Sequence, residues 1–222
     1  MKNTSSKNIT DDIVKSFEKY AKSNAFVINN VTYTYEQLAQ TVYKVSHLIS
    51  NREETIIGIV AEDNIETYAS ILSVLISGKT YVILHPAYPK HRNKQIVESA
   101  GIHLVLHTKD IHSFSLDTNI ELICTSDRQQ ESSILPISYV NEDKNAYILF
   151  TSGSTGEPKG VPISRCNLNA FYTAYSRLGW QLNEHDRMLQ MFELTFDVSI
   201  VSLLYPLTLG ACVYTVASEG VK

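Results

Sequence analysis

A run of small and polar residues between positions 151 and 160, Thr-Ser-Gly-Ser-Thr-Gly-Glu-Pro-Lys-Gly, carries the clearest chemical signal in the sequence. Its glycines and hydroxyl-bearing residues are Gly153, Gly156, Gly160, Thr151, Ser152, Ser154 and Thr155. Glycine tolerates positive φ angles, which lets successive backbone N–H groups turn toward a single anion. The hydroxyl groups add small hydrogen-bond donors, and Lys159 adds one positive charge. This combination predicts a phosphate-binding loop.

A Walker loop is the first alternative, because it is also rich in glycine and follows a strand, but it requires Gly-Lys-Ser/Thr leading directly into a helix. Here Pro158 precedes Lys159, and neither Gly160 nor Val161 supplies the hydroxyl expected on magnesium. Pro158 and Pro162 also resist an immediate helix. The second alternative is a flexible surface turn in which Lys159 is simply solvated.

The segments that must position this loop alternate between short apolar runs and helical patterns. Strands are predicted at 55–60, 81–84, 103–107, 121–124 and in the run YILF before the loop, with helices at 65–77 and 90–100. Strands separated by helices of this length form parallel sheets, and continuous apolar runs such as IIGIV suit strands buried on both faces. We therefore expect an α/β fold with a mostly parallel sheet flanked by helices.

Local signals place the remaining elements. Asp11 or Asp12 is expected to cap a first helix that ends near Asn24, and a hairpin is expected to turn at Asn29-Asn30. Thr34 and Gln37 form a capping box that begins a helix ending near residue 50. After the loop we expect a helix from Ser164 to about Leu178, a helix at 197–207 and a strand at 211–216, and before it a surface excursion over 109–143.

Composition excludes several functional classes. The 222 residues carry a net charge of −4 with a pI near 6.0, which argues against a protein built to neutralise nucleic-acid phosphates or to coat an anionic membrane. The three cysteines are widely spaced and indicate neither a disulfide framework nor a zinc site. His103 and His107 fall on a predicted strand about 13 Å apart, so no metal site is predicted there. Because we see no secretory signal and no long apolar run, we expect a cytoplasmic protein.

The segment from Thr151 to Gly160 matches, without a mismatch, the Thr-Ser-Gly-Ser-Thr-Gly-x-Pro-Lys-Gly motif, and so resembles the phosphate loop of the adenylate-forming superfamily. That superfamily includes acyl-CoA synthetases, luciferases, amino-acid adenylation domains of nonribosomal peptide synthetases and D-alanine–carrier-protein ligases. The resemblance implies ATP and Mg²⁺ as cofactors and catalytic roles for Thr151 and Lys159. It implies nucleotide-phosphate binding by Thr151, Ser152, Gly153, Ser154, Thr155, Gly156 and Lys159.

Three weaker matches point to the amino-acid-activating branch. Residues 34–38 are similar to a Thr-Tyr-x-Glu-Leu element, with the glutamate one place early, and residues 75–82 are similar to a Lys-Ala-Gly-x-Ala-Tyr-Val-Pro segment, with Ile83 in place of the proline. Residues 195–199 contain the Phe-Asp-x-Ser element of amino-acid-activating members. By this resemblance Asp197 binds the substrate ammonium group, and Val198 and Val201 line the side-chain pocket. The alternative for Asp197 is a plain helix cap, and one carboxylate can serve both purposes.

The implied reaction is ATP-dependent activation of a carboxylic acid, most simply an amino acid, as an acyl-adenylate. The acyl group then passes to the thiol of a phosphopantetheinyl carrier protein or of CoA. The sequence lacks the family's Tyr-Gly-x-Thr-Glu element, ribose-binding aspartate segment and lysine-bearing small domain. We therefore expect residues 1–222 to be the front subdomain of the large N-terminal domain, inactive alone. The alternatives are an acyl-CoA or aryl-CoA ligase and a non-catalytic truncated binding module.

Overall fold

The structure is a computed structural model that describes residues 8–108, 119–126, 141–152 and 157–216. The helices in these ranges are α1 Ile9–Lys19, α2 Tyr35–Ser50, α3 Ile65–Ile76, α4 Lys90–Ala100, α5 Arg165–Tyr175 and α6 Val198–Leu207. The strands are β1 Asn24–Ile28, β2 Val31–Thr34, β3 Ile56–Val60, β4 Thr80–Leu84, β5 Leu104–His107, β6 Glu121–Cys124, β7 Asn145–Ser152, β8 Pro158–Ser164, β9 Arg187–Gln190 and β10 Cys212–Thr215.

The larger sheet has the strand order β6-β5-β3-β4-β7-β8. Every neighbouring pair from β6 to β7 is parallel, and only β8 runs antiparallel to its neighbour. All five residues of β4 are buried, as expected of a central strand covered on both faces. The predicted α/β fold with a mostly parallel sheet flanked by helices is confirmed.

A second, four-stranded sheet has the order β2-β1-β10-β9. The predicted hairpin forms between β1 and β2, and its turn residues Asn29 and Asn30 adopt positive φ angles of 49° and 65°. On its other side β1 pairs in parallel with β10, which places Phe26 opposite Val213. The Tyr35 hydroxyl donates a hydrogen bond to the Ala211 carbonyl at 2.8 Å and ties α2 to this sheet.

The helix boundaries confirm some of the predicted caps and correct others. Asn8 caps α1 through bonds from the N–H groups of Thr10 and Asp11, so the prediction that an aspartate caps this helix is wrong. The aspartates lie in the first turn, where the helix dipole favours negative charge, and the helix ends at Lys19, well before Asn24. The Thr34–Gln37 capping box of α2 is confirmed. Ser164 caps α5 as predicted, although this helix stops at Tyr175.

The excursion predicted at 109–143 lies largely outside the described residues, which include from it only 119–126, with β6, and 141–143. Within the described ranges, no helix combines the length and apolarity that a membrane span requires. The same ranges contain no group of three or more histidine, cysteine, aspartate or glutamate side chains suited to hold a metal ion.

Candidate functional site

The β7–β8 hairpin positions the ends of the predicted phosphate loop. The two strands pair from Asn145 opposite Ser164 to Ser152 opposite Pro158, and Thr151 lies directly opposite Lys159. Residues Pro158 to Gly160 therefore belong to β8. The sequence analysis had placed them at the end of the phosphate-binding loop, and the structure corrects that boundary. The predicted phosphate ligands Gly153, Ser154, Thr155 and Gly156 lie outside the described residues.

Opposite faces of this hairpin meet different neighbours, because side chains alternate along a strand. Thr151, Leu149 and Tyr147 line a cleft on one face. On the other face, Gly160 lies under Phe150, and a Cβ atom at position 160 would stand 3.0 Å from the Phe150 Cζ atom. Glycine at this position therefore lets the aromatic ring close over β8 without a clash.

The cleft has a volume of about 820 Å³ and lies between the hairpin, α5 and the start of α6. Small-molecule sites commonly enclose 300–1,000 Å³ and combine apolar walls with a few polar groups, and this cleft has that character. Its lining includes the polar residues Thr151, Ser152, Asn167, Thr195 and Asp197 and the apolar residues Leu149, Val161, Phe171, Val198 and Val201.

Asp197 lines this cleft together with Val198 and Val201. It occupies the N-cap position of α6 in a helical conformation, φ −62° and ψ −32°, and its side chain makes no capping hydrogen bond. The Ser199 hydroxyl instead donates to the Phe196 carbonyl at 2.6 Å and stabilises this turn. Among the described residues, the exposed Asp197 carboxylate has no hydrogen-bonded or ionic partner. If Asp197 served only as a helix cap, its side chain would accept a hydrogen bond from a backbone N–H group at the start of α6. The structure shows no such bond.

The structure thus brings Thr151, Ser152, Asp197, Val198 and Val201 to one cleft, as five of the predicted site residues. Lys159 is exposed on β8 beside Thr151, whose hydroxyl lies 3.5 Å from the Lys159 carbonyl oxygen, but Lys159 is not part of the cleft wall.

Tyr147 is a cleft residue that the sequence analysis treated only as part of a strand. It is almost fully buried, stacks on Tyr81 with ring centroids 5.5 Å apart, and contributes to the cleft wall. Burial, and then the negative charge of Asp197, raises the pKa of Tyr147 to about 12. The phenol is therefore neutral at physiological pH and close enough to feel the Asp197 charge.

Tyr88 and Arg92 are two further cleft residues that the motifs did not identify. The Tyr88 hydroxyl donates to the Thr195 hydroxyl oxygen at 3.2 Å, which connects the start of α4 to the segment that carries Asp197. The Arg92 guanidinium lies over the Tyr88 ring, 4.8 Å from its centroid. Both residues lie beyond the weak match at residues 75–82, so that match did not point to them.

Comparison with known proteins identifies the family to which this chain belongs. The chain is a member of the AMP-binding enzyme family, which it matches over residues 13–221. It is 30% identical over 210 residues to bacitracin synthase 3 of Bacillus licheniformis, a match that covers 91% of this chain and 3% of that protein.

Solved structures show the same fold. The nonribosomal peptide synthetase FmoA3 in its AMPPNP-bound form superposes with a TM-score of 0.87 at 24% identity, over 96% of this chain and 23% of that one. The Vibrio cholerae adenylation domain AlmE, in complex with glycyl-adenosine-5'-phosphate, gives a TM-score of 0.83 at 22% identity, over 95% of this chain and 45% of that one. The predicted membership of the adenylate-forming superfamily is confirmed, and the chain spans less than half the length of each of these relatives.

Proposed function

We propose that this chain supplies the phosphate-binding and ammonium-binding parts of an adenylate-forming enzyme that activates an amino acid with ATP. The observation that carries this proposal is the arrangement of the cleft. Thr151 and Ser152, at the end of β7, line the same cleft as the unpaired carboxylate of Asp197. A molecule bound in this cleft therefore meets both hydroxyl donors and a negative charge.

The phosphate side of the proposal rests on the register of the hairpin. Cross-strand partners in an antiparallel pair have Cβ atoms about 5 Å apart, so Thr151 and Lys159 present a hydroxyl and an ammonium group side by side. Both side chains are exposed where the strands meet the glycine-rich segment. This placement supports binding of the nucleotide phosphates by Thr151, Ser152 and Lys159, joined by Gly153, Ser154, Thr155 and Gly156 of the motif.

The substrate side of the proposal rests on Asp197 and its apolar neighbours. A carboxylate without a partner attracts a cation, and Val198 and Val201 on the same helix offer apolar surface beside it. An α-amino acid has both features, an ammonium group and a side chain on one carbon. A fatty or aryl acid lacks the ammonium group and would leave Asp197 unpaired in the complex. The arrangement therefore favours an amino acid over the acyl-CoA and aryl-CoA ligase alternative.

The chemistry needs little from the protein beyond positioning and charge stabilisation. A carboxylate oxygen of the amino acid attacks the α-phosphorus of ATP, the bond from that phosphorus to the bridging oxygen breaks, and pyrophosphate leaves with the electron pair. Because the attacking group is already ionised, no general base is required. Lys159 and Thr151 stabilise the charge that builds on the departing phosphates. Mg²⁺, bound to the phosphates, would neutralise part of the same charge.

The proposal also concerns elements of an adenylate-forming enzyme that are not found within residues 1–222. Residues 1–222 correspond to the front subdomain of the large domain, and the family's adenine-binding, ribose-binding and lysine-bearing elements are absent from the sequence. Adenylation then requires those elements in addition, as does transfer of the acyl group to a carrier-protein or CoA thiol. Measurable ATP–pyrophosphate exchange by these 222 residues alone would contradict this part of the proposal.

Titration of the chain with Mg·ATP tests the phosphate site. Lys159→Ala should weaken binding by about ten- to a hundredfold, because a charge-assisted contact contributes about 1.5–3 kcal/mol. Lys144→Ala is the matched control, since Lys144 is an equally exposed lysine that precedes β7 at the far end of the hairpin. Equal affinities for Lys159→Ala and the wild type would refute the assignment.

Exchange assays on a longer protein that contains these residues test the substrate site. Asp197→Ala should lower amino-acid-dependent exchange by at least about a hundredfold, because it removes a charge-assisted contact of about 3 kcal/mol. Asp143→Ala, an exposed aspartate before β7, should leave exchange unchanged. Preference for a fatty or aryl acid, with no effect of the Asp197 substitution, would instead favour the CoA-ligase alternative. Failure to bind Mg·ATP at all would favour the non-catalytic module.

A further inference from the structure

A second, smaller cleft of about 420 Å³ lies at the same end of the β7–β8 hairpin but toward α4. Ser152 and Pro158, which are partners in the strand register, form its hairpin side. His91, Arg92 and Gln95 from the first turns of α4 form the opposite side. Arg92 and Ser152 also line the larger cleft, so they mark the boundary between the two.

Arg92 is a fixed cation at this boundary. Its guanidinium stacks over the Tyr88 ring at 4.8 Å, and the Tyr88 hydroxyl is itself held by Thr195. The Arg92 Nε atom is buried and has no hydrogen-bond partner, and within the described ranges no carboxylate forms an ion pair with this side chain. An oriented guanidinium with unused donors is well suited to oxygen anions, because its planar donors match the geometry of phosphate.

The charges around the start of α4 support an anionic ligand. The helix begins with Lys90, His91 and Arg92, and its first turn contains no acidic residue. The positive end of a helix dipole normally favours acidic residues and disfavours cations. The cations at the start of α4 therefore repel the positive end of the helix dipole in the free protein. A bound polyanion would neutralise both and turn the repulsion into attraction.

We propose that the second cleft, through Arg92, binds the terminal phosphates of the nucleotide and retains the pyrophosphate that the reaction releases. This inference rests on the proposed function, because it takes ATP as the ligand of the hairpin. It adds a second cation on the face of the hairpin opposite Lys159. In this arrangement Thr151 and Lys159 contact the phosphates from one face, while Ser152 and Arg92 contact them from the other. Tyr88 is a positioning residue that orients the guanidinium.

Calorimetric titration of the chain with magnesium pyrophosphate, and separately with Mg·ATP, tests the inference at fixed ionic strength. Arg92→Gln removes the charge and keeps a similar stem, and it should weaken binding of both ligands about tenfold. Arg92→Lys restores the charge without the planar fork and should recover part of that loss. Lys94→Gln is the matched control on the same helix, where Lys94 lies 3.8 Å from Glu98, and it should leave both affinities unchanged.

The outcomes separate this inference from the proposed function. If Arg92→Gln binds pyrophosphate as tightly as the wild type while Lys159→Ala binds it weakly, the second cleft has no role and the phosphate loop stands. If the wild-type chain binds neither ligand, both proposals fall. An equal loss in Lys94→Gln and Arg92→Gln would show a general charge effect and would overturn the specific role of Arg92. Thermal unfolding of each variant establishes that the fold is retained.

Discussion

Replacing Gly58 with alanine tests whether the centre of the larger sheet has room for one more methyl group. Gly58 lies in β3, between β4 and β5, and pairs with Val82 and Val105. A Cβ atom there would stand 2.9 Å from the Val105 Cγ2 atom, 3.1 Å from the Leu84 Cδ1 atom and 3.3 Å from the Ile102 Cγ2 atom. All three neighbours are buried, so none can move aside into solvent.

Two opposing effects determine how much Gly58→Ala changes the free energy of unfolding. Alanine restricts the unfolded chain more than glycine does, which stabilises the protein by about 0.4–1 kcal/mol where the backbone conformation suits both residues. Overpacking a buried site costs about 1–3 kcal/mol, and optimal carbon contacts lie near 3.5–4.0 Å. Because the shortest of the three contacts, at 2.9 Å, is well below that range, the clash outweighs the entropic gain. We expect a net loss of about 1–2 kcal/mol.

Denaturant unfolding and a double-mutant cycle measure this effect. For a chain of this size the loss corresponds to a fall in Tm of roughly 2–8 °C. Val105→Ala alone should destabilise by about 2 kcal/mol, because it leaves a cavity. The double variant should lose at least about 1 kcal/mol less than the sum of the two single losses, because the added and removed methyl groups occupy adjoining space. A Gly58→Ala protein as stable as the wild type, or strictly additive losses, would refute the packing argument.

Three further outcomes follow from described contacts. Thr34→Ala removes the capping box of α2 and should lower the free energy of unfolding by about 1 kcal/mol, whereas Thr41→Ala, within the same helix, should not, as denaturant unfolding of both will show. Tyr35→Phe leaves the Ala211 carbonyl without the hydroxyl donor at 2.8 Å and should cost about 1–2 kcal/mol in the same assay; an unchanged stability would mean that this bond does not anchor α2. Burial raises the pKa of the Cys212 thiol from 9.0 to about 11, so its contribution to stability is complete below pH 9 and is lost as the pH rises through 11. Unfolding free energies measured across that interval should fall less steeply for Cys212→Ala than for the wild type.

The order of the strands and helices in the larger sheet was predictable because each element carries its own pattern. The apolar runs of β3, β4 and β7 mark buried strands, and capping residues such as Thr34 and Ser164 fix helix starts. The first helix shows the limit of this approach, because Asn8 and the following aspartates are all competent caps. Only the three-dimensional path of the chain selects Asn8.

Two strands escaped prediction for identifiable reasons. β8 contains Pro158, Gly160 and Pro162, which usually interrupt strands, but it lies at the edge of the sheet, where proline is tolerated because no second neighbour needs its N–H group. β9 is only four residues long and has no β-branched residue. Its existence depends on pairing with β10, and that partnership leaves no local pattern in the sequence.

In the candidate site, too, residues with a local sequence pattern were predicted, and residues that depend on contacts distant in sequence were not. The segment from Thr151 to Gly160 was predicted to bind phosphate from its residue types, whereas Asp197 became a candidate only through the resemblance of residues 195–199 to a family element. Tyr88 and Arg92 were not predicted, because their role arises from the contact between the start of α4 and Thr195, which is distant in sequence. Tyr147 was hidden in a buried strand whose alternating faces could not be assigned before the cleft was seen.

The antiparallel pairing of β7 and β8 also limits how this region can vary in evolution. Insertions between the strands need not disturb the register, but a single residue added within β8 after Lys159 would shift the lysine by one position relative to β7. Its side chain would then point toward α4 and away from Thr151, while Gly160 would remain beneath the Phe150 ring. Natural variation in length is therefore expected between Ser152 and Pro158 and not within the paired strands.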